Sequence, residues 1–407
     1  MSKREMLAMK IIALNASGKG QAADFMHSIG NYASTKGVTY CYAVGANANR
    51  EYHDFLIHRF SVIRFLSKVL SRLTGKFDYY FKIGTKRLIR WIKSEKPDLV
   101  HIHNLHGDYI NLEMLINFLK ESNIKVVFSL HDTWLFTGKC LDYENDNCLK
   151  WKKLCKDCPY KKKKPRWIFG DASTKNYVRK KALFSDFEKA IYITNFEWLK
   201  IQLPKTILKA KTTYCIFDGV DTTRFYPHPT IIKEKYHISE NKKIILCYAD
   251  QWEKNTSLLA MNQLIEIMGL EYQFIALNAP RKSLSKKAIA VRKVKDTSLL
   301  AEYFASATMF INLSVDNIFP LENLFAFASG VPVFTFAFGG TPEQINSYVG
   351  KILPDFDPIK IKKEIIAYFG KHYDIRKECL EKAEEFNIEK MVKKYYEVYV
   401  NILKKKS

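Results

Sequence analysis

"TMFINLSVDNIFPLENLFAFASGVPVFTFA", residues 308 to 337, sets two short apolar runs, TMFINLS and VPVFTFA, on either side of a helix-period segment, LENLFAFASG. Apolar runs of this length, rich in β-branched and aromatic residues, read as strands buried on both faces. The segment between them, closed by Gly330, reads as the helix that returns the chain across the sheet. A strand, a crossover helix and a second strand wound right-handedly make a parallel pair.

The same alternation extends outward in both directions. Upstream come MKIIALNA (9 to 16), the helix AADFMHSIGNYASTKG, VTYCYAV, the helix TKRLIRWIKSEK, DLVHIHN, a helix near 110 to 121, KVVFSLH (125 to 131) and AIYITN (190 to 195). The pattern restarts after the turn-rich FDGVDTTRFYPHP (217 to 229) with KKIILCYAD, SLLAMNQLIEIMG, YQFIALNA and SLLAEYFASA. The chain of 407 residues, 47% of them hydrophobic, has material for two cores. We therefore expect an α/β protein of two doubly wound, Rossmann-like parallel-sheet domains, 1–205 and 206–383. A C-terminal helix, 384–407, is expected to pack back on the first. Ligands of such sheets gather at the carboxyl ends of the strands, which predicts a cleft between the domains.

Sixty-five lysines and arginines against 42 acidic residues leave a formal charge of +23, which points to a negatively charged partner. No groove-reading motif and no regular basic and aromatic interleaving are present, which argues against nucleic acid. HRFSVIRFLSKVLSRLTGK (58 to 76) places Arg64, Lys68, Arg72 and Lys76 at steps of four, with Phe60, Ile63, Leu66, Val69, Leu70 and Leu73 on the other face. That is a basic amphipathic helix, read either as core-facing with a solvated basic stripe or as attachment to an anionic membrane surface. KKKKPRW (161 to 167) is a second basic cluster. No apolar run reaches about eighteen residues, and the N-terminus turns from charge directly into a strand without a cleavage signal. The expected location is cytoplasmic, peripheral on the inner face of the cytoplasmic membrane.

LVHIHNLHGDYINL (99 to 112), FSLHDTWLFTGKC (128 to 140), FDGVDTTRFYP (217 to 227), FPLENLFAFASGVPV (319 to 333) and GGTPEQI (339 to 345) occur in an order and spacing that resemble the GT-B glycosyltransferases of the retaining family 4 type, especially those assembling exopolysaccharide and O-antigen. The resemblance implies an acceptor-side first domain and a second domain for a nucleotide-sugar donor. It also implies a saccharide or lipid-diphosphate-linked acceptor, retention at the anomeric carbon and no metal needed for catalysis. It places His131 close to the transferred sugar, although a satisfied buried histidine reads equally well from the residues. Glycine-rich turns present backbone N–H groups to phosphate, which suits Gly18, Lys19 and Gly20 after the first strand and Gly339 and Gly340 after a later one; a tight strand-to-helix connection is the alternative. His106 opens the loop after the strand carrying His101 and His103.

Two positions depart from the family pattern, which carries a pair of glutamates eight residues apart. Here Asn317 and Phe325 stand in those places. Asparagine still bonds a sugar hydroxyl, whereas phenylalanine offers nothing to a ribose diol. Glu322 and Asp316 are the nearby acids that could compensate. In YADQWEKNTSLL (248 to 259), Lys254 is the one cation where the family has two, Asp250, Asn255 and Thr256 filling the neighbouring places; Arg281 and Lys282 offer replacement charge. Losing two charge-assisted bonds costs about 3 to 6 kcal/mol of donor affinity. The expected function is sugar transfer from a nucleotide sugar in cell-surface polysaccharide synthesis. The alternative is a catalytically impaired partner or scaffold of the same fold.

Cys140, Cys148, Cys155 and Cys158 fall within nineteen residues as C-x7-C-x6-C-x2-C. The set reads as a structural zinc site or as packed free thiols, with disulfides disfavoured by the expected compartment.

Overall fold

The computed structural model describes residues 9–58, 61–141, 148–159, 168, 170–249, 256–279, 284–314, 317–371 and 374–404. The chain divides into two compact units, one running up to Phe217 and resuming at Val392, the other Asp218–Met391. The expected boundary at 205/206 therefore falls ahead of one more strand of the first sheet.

In the first unit, strands β1 (Lys10–Asn15), β2 (Thr39–Val44), β3 (Phe55–Leu56), β4 (Leu99–Ile102), β5 (Lys125–Leu130), β6 (Ala190–Thr194) and β7 (Thr212–Cys215) form one sheet in the order β3-β2-β1-β4-β5-β6-β7. All pairs are parallel; Ile12 is opposite Cys41 on one side and Val100 on the other. In the second unit, β8 (Lys243–Tyr248), β9 (Tyr272–Leu277), β10 (Ile289–Ala290), β11 (Met309–Asn312), β12 (Val333–Phe336) and β13 (Gly350–Leu353) take the order β10-β9-β8-β11-β12-β13, again parallel. Both sheets reverse direction of growth beside their first strand, between β1 and β4 and between β8 and β11. Such switch points open a crevice at the carboxyl ends of the strands.

Strand burial follows from this layering. Helices cover both faces, so β1, β4, β5 and β11 are buried along nearly their whole length instead of on alternate residues. Helix starts are set by local side chains: Asn111 accepts from Met114 N–H at the head of helix Leu112–Glu121, and Asp296 from Ser298 N–H at the head of Thr297–Ser306. Helix Ile388–Lys404 brings Tyr395 and Tyr399 onto the first sheet, where the hydroxyl of Tyr399 meets His101 Nδ1 at 2.7 Å and that of Tyr395 meets Ser129 Oγ at 3.0 Å.

Helix Ser61–Thr74 corrects the core-facing reading of its amphipathic pattern. Val62, Phe65 and Leu66 are 66%, 65% and 55% exposed, and Val69, Leu70 and Leu73 also face outward. The side turned inward is the polar one, with Ser67 and Ser71 buried and Arg64 and Lys68 half-buried. The physical reason lies opposite: Lys68 and Arg72 are attracted to Asp108, which sits beside the buried Asp78. The second basic cluster, 161–167, lies outside the described residues.

Candidate active site

Asn15 ends β1 and Asn104 follows β4, so the two meet across the switch point of the first sheet, Asn104 donating to Asn15 Oδ1 at 3.1 Å. The hydroxyl of Tyr109 donates to the Asn104 carbonyl. A cavity opens just beyond, at the ends of β4 and β5, lined by His103, His106, Ser129, His131, Asp132 and Trp134 among others. His101 and His103 share one face of the chain at β4 because strand side chains alternate. His101 is held on both ring nitrogens, by Ser129 Oγ at 2.8 Å and by Tyr399. His103 is buried and meets His131 with Nδ1···Nε2 at 3.4 Å.

His106 and Asp132 form the charged pair of this cavity, Nε2 to Oδ2 at 2.7 Å. Burial alone would lower the His106 pKa, but the Asp132 carboxylate outweighs it and the net shift is upward. Burial alone would raise Asp132, and the same partner carries it below the usual carboxylate range. Each partner thus favours the charged form of the other. Asp132 Oδ1 also accepts Trp134 N–H at 2.8 Å, which starts the single turn Trp134–Phe136. That turn is clamped from helix Ser173–Phe184 by Lys180. Its buried Nζ donates to the carbonyls of Trp134 at 2.5 Å and Thr137 at 3.0 Å and lies 3.4 Å from the Trp134 ring centre. Burial, with Arg179 beside it, pushes Lys180 down to about 7.

Gly18 sits where a Cβ would come within 2.4 Å of Asp54 Oδ2 and 2.5 Å of the Asn47 carbonyl, so no side chain fits. Its N–H donates to Ala46. Lys19 is exposed at the tip of the loop, and Gly20 leads into helix Gln21–Thr35.

In the second unit, Asn317 Oδ1 accepts Phe319 N–H at 3.1 Å, so this side chain shapes its own turn. A buried amide chain follows: Asn312 donates to Asn323, Asn323 to Gln344, and Gln344 to the Pro320 carbonyl. It ties the segment before helix Leu321–Ala328 to the turn Thr341–Gln344. Gly339 has φ +54°, and a Cβ there would meet the Ile318 carbonyl at 2.4 Å. The phosphate-cradle expectation is corrected at Gly340, whose N–H donates to the Ile318 carbonyl at 2.7 Å; Phe338 and Thr341 N–H groups are likewise bonded within the turn. Phe325 stacks on Phe225 with ring centres 4.1 Å apart and planes 3° apart, and meets Phe304 edge-on. Glu322 is half-buried in the first turn of the same helix. Lys254 and Asp316, with Asp250, Asn255, Arg281 and Lys282, lie outside the described residues.

The four cysteines lie near one another, Cys148, Cys155 and Cys158 all acting on Cys140. Among the described residues no group of three or more histidine, cysteine, aspartate or glutamate side chains is arranged to hold a metal ion. Cys158 is packed with Phe77 and Ala172, and Cys155 Sγ accepts Gly138 N–H at 3.3 Å. Burial and the neighbouring thiols push Cys140 up to about 12 and Cys155 up to about 11.

The structure therefore joins His131 and His106 in one cavity and sets Ile318, the neighbour of Asn317, against the Gly339–Gly340 turn. Sequence reading missed Lys180, one of many lysines, and Tyr395 and Tyr399, whose partners lie far away in the chain.

With this geometry in place, residues 36–181 match Glycosyltransferase Family 4. The matched stretch lies within the first unit and covers less than half of the chain. Over 92 residues the chain is 32% identical to the colanic acid biosynthesis glycosyl transferase WcaC of Escherichia coli (strain K12), a match covering 21% of this chain and 20% of that protein. The matched stretch thus spans about a fifth of that relative's length. A glycosyltransferase from Rickettsia africae ESF-5 superposes with a TM-score of 0.68 at 14% identity, covering 97% of this chain and 99% of that one. The Anabaena protein Alr3699/HepE, solved with UDP and glucose, gives 0.65 at 12% identity over 96% and 99%. At these identities the likeness is one of fold.

Proposed function

We propose that the chain is a glycosyltransferase that moves a sugar from a nucleotide-sugar donor to a saccharide acceptor in polysaccharide biosynthesis, with retention at the anomeric carbon. The observation that carries this reading is the cavity at the ends of β4 and β5, where His131, His103 and the pair His106–Asp132 converge within the stretch that matches family 4. UDP and glucose in the similar Anabaena protein support a nucleotide-sugar donor. His131 then hydrogen-bonds the transferred sugar, and the fixed His106–Asp132 charges orient the acceptor side.

Titration calorimetry with a panel of nucleotide sugars tests this. We expect binding at millimolar donor or better, and transfer that drops about a hundredfold in His131→Ala while donor binding persists. Absence of binding to every donor removes the transferase reading. A second reading, a GT-B partner without transfer, is favoured by Phe325 stacking where an acid would meet ribose and by the internally bonded Gly340 N–H.

We further propose that the acceptor is lipid-linked and that helix Ser61–Thr74 docks on an anionic membrane surface. Among the described residues no helix is long and apolar enough to cross a membrane. The exposed face of Val62, Phe65, Leu66, Val69 and Leu70, with Arg72 and Lys76 at its edge, fits the interface between acyl chains and anionic headgroups. Changing both Phe65 and Leu66 to serine removes about 3 kcal/mol of apolar transfer, so sedimentation with phosphatidylglycerol vesicles should fall about a hundredfold in partition coefficient. Equal sedimentation of the variant and the unaltered chain, or equal binding to phosphatidylcholine alone, would contradict the placement.

A further inference from the structure

We propose that His103 is a positioning residue that holds His131 in its Nδ1–H tautomer by donating its own Nδ1–H to His131 Nε2. This rests on the reading that His131 meets the sugar, and it adds which nitrogen carries the proton there.

The geometry comes first. The two imidazole planes differ by 10° and their centres are 5.7 Å apart, while Nδ1 and Nε2 are 3.4 Å apart. The longer distance is the shorter one extended by one ring radius at each end. The rings therefore meet edge to edge in nearly one plane, as an in-plane N–H···N hydrogen bond requires, and not face to face.

One proton fits between those nitrogens, and a neutral imidazole carries one N–H. If His131 donated from Nε2, His103 would accept at Nδ1 and have to keep its proton on Nε2. That atom is buried and has no hydrogen-bond partner. An orphaned buried N–H is the rarer and costlier defect, whereas an unprotonated nitrogen with an idle lone pair is tolerated better. Donation from His103 Nδ1 leaves only the lone pair without a partner. The remaining alternative, a charged His103, is closed off by burial and by the crowding of His101, His131 and His27, which together hold its pKa well below the usual range. His101 cannot relieve His103, since its ring centre is 4.1 Å away but both its nitrogens already face Ser129 and Tyr399.

The consequence for the site is chemical. A free neutral histidine in water favours the proton on Nε2; here that nitrogen accepts from His103, so the proton of His131 sits on Nδ1. The sugar group that pairs with Nδ1–H must then accept a hydrogen bond. Tyr395 and Tyr399, through Ser129 and His101, brace the strand end that aims His103.

Long-range ¹H–¹⁵N spectra of the full chain with labelled histidine read the tautomer directly at neutral pH. His131→Gln identifies the His131 signals. We expect a protonated Nδ1 and an unprotonated Nε2 at His131; an Nε2–H tautomer or an imidazolium overturns the proposal. His103→Phe, which keeps the ring volume and removes the donor, should return His131 to the Nε2–H form. With it, kcat should fall about tenfold while KM changes little, a split that loosened packing alone would not give. His103→Asn, which keeps a donor amide, should recover part of kcat. If the spectra show Nδ1–H but His131→Ala transfers sugar at the normal rate, the tautomer assignment stands and the role given to His131 fails.

Discussion

Phe325→Glu, which installs the acid the family carries at this position, is expected to lower the stability of the second domain by about 3 kcal/mol and to bring no gain in nucleotide affinity. The ring of Phe325 lies flat on Phe225, which is 2% exposed, and Phe304 closes the cluster edge-on to both. A carboxylate placed there loses the stacking area and must either be desolvated or swing out and leave a void. Scanning calorimetry of the full chain, compared with the same change to leucine, measures the effect. A transition at the unaltered temperature, or a tighter complex with a nucleoside diphosphate, would show that this corner opens to ribose after all.

The second large effect runs in the stabilising direction. Burial, reinforced by Asp108, pushes the Asp78 carboxyl from 3.8 up to about 8, against the pull of His106, Arg179 and Lys180. Between those two values the native chain holds a proton that the unfolded chain has released. Stability contributed at this position is therefore greatest below about pH 4 and declines as the pH rises to 8. Asp78→Asn removes the penalty, and asparagine suits the φ of +54° at this residue. We expect the variant to be more stable than the parent by about 3 kcal/mol at pH 8 and nearly equal to it at pH 4. Urea midpoints of both proteins across that range decide it. A constant difference, or a variant weaker at pH 8, would mean that the ionised carboxylate is stabilised by its cationic neighbours.

The repeated strands and helices were legible because a strand buried on both faces has to be apolar along its whole length. β3, β7, β10 and β13 were not: β3 and β10 have only two residues each, and β7 and β13 mix exposed with covered positions. The orientation of helix Ser61–Thr74 was hidden for a different reason. A periodic pattern shows that a helix has two faces, but which one turns inward depends on what lies opposite, here Asp78 just after the helix and Asp108 in the loop after β4. At the site, His131 and His106 were visible from their motifs. Lys180 and the two tyrosines were not, because a hydrogen bond between residues 101 and 399 leaves no mark on local spacing. The departure at Phe325 was visible, and the structure adds what that ring does: it builds core with Phe225 and Phe304.

Helix Ile388–Lys404 has a consequence for how the molecule is made. His101 and Ser129 are synthesised early, but the hydroxyls that complete their hydrogen bonds arrive with Tyr395 and Tyr399. On the ribosome those two hydrogen bonds can form only after the whole of the second domain has emerged. Two phenols from the end of the chain thus complete a hydrogen-bonded row begun near its start.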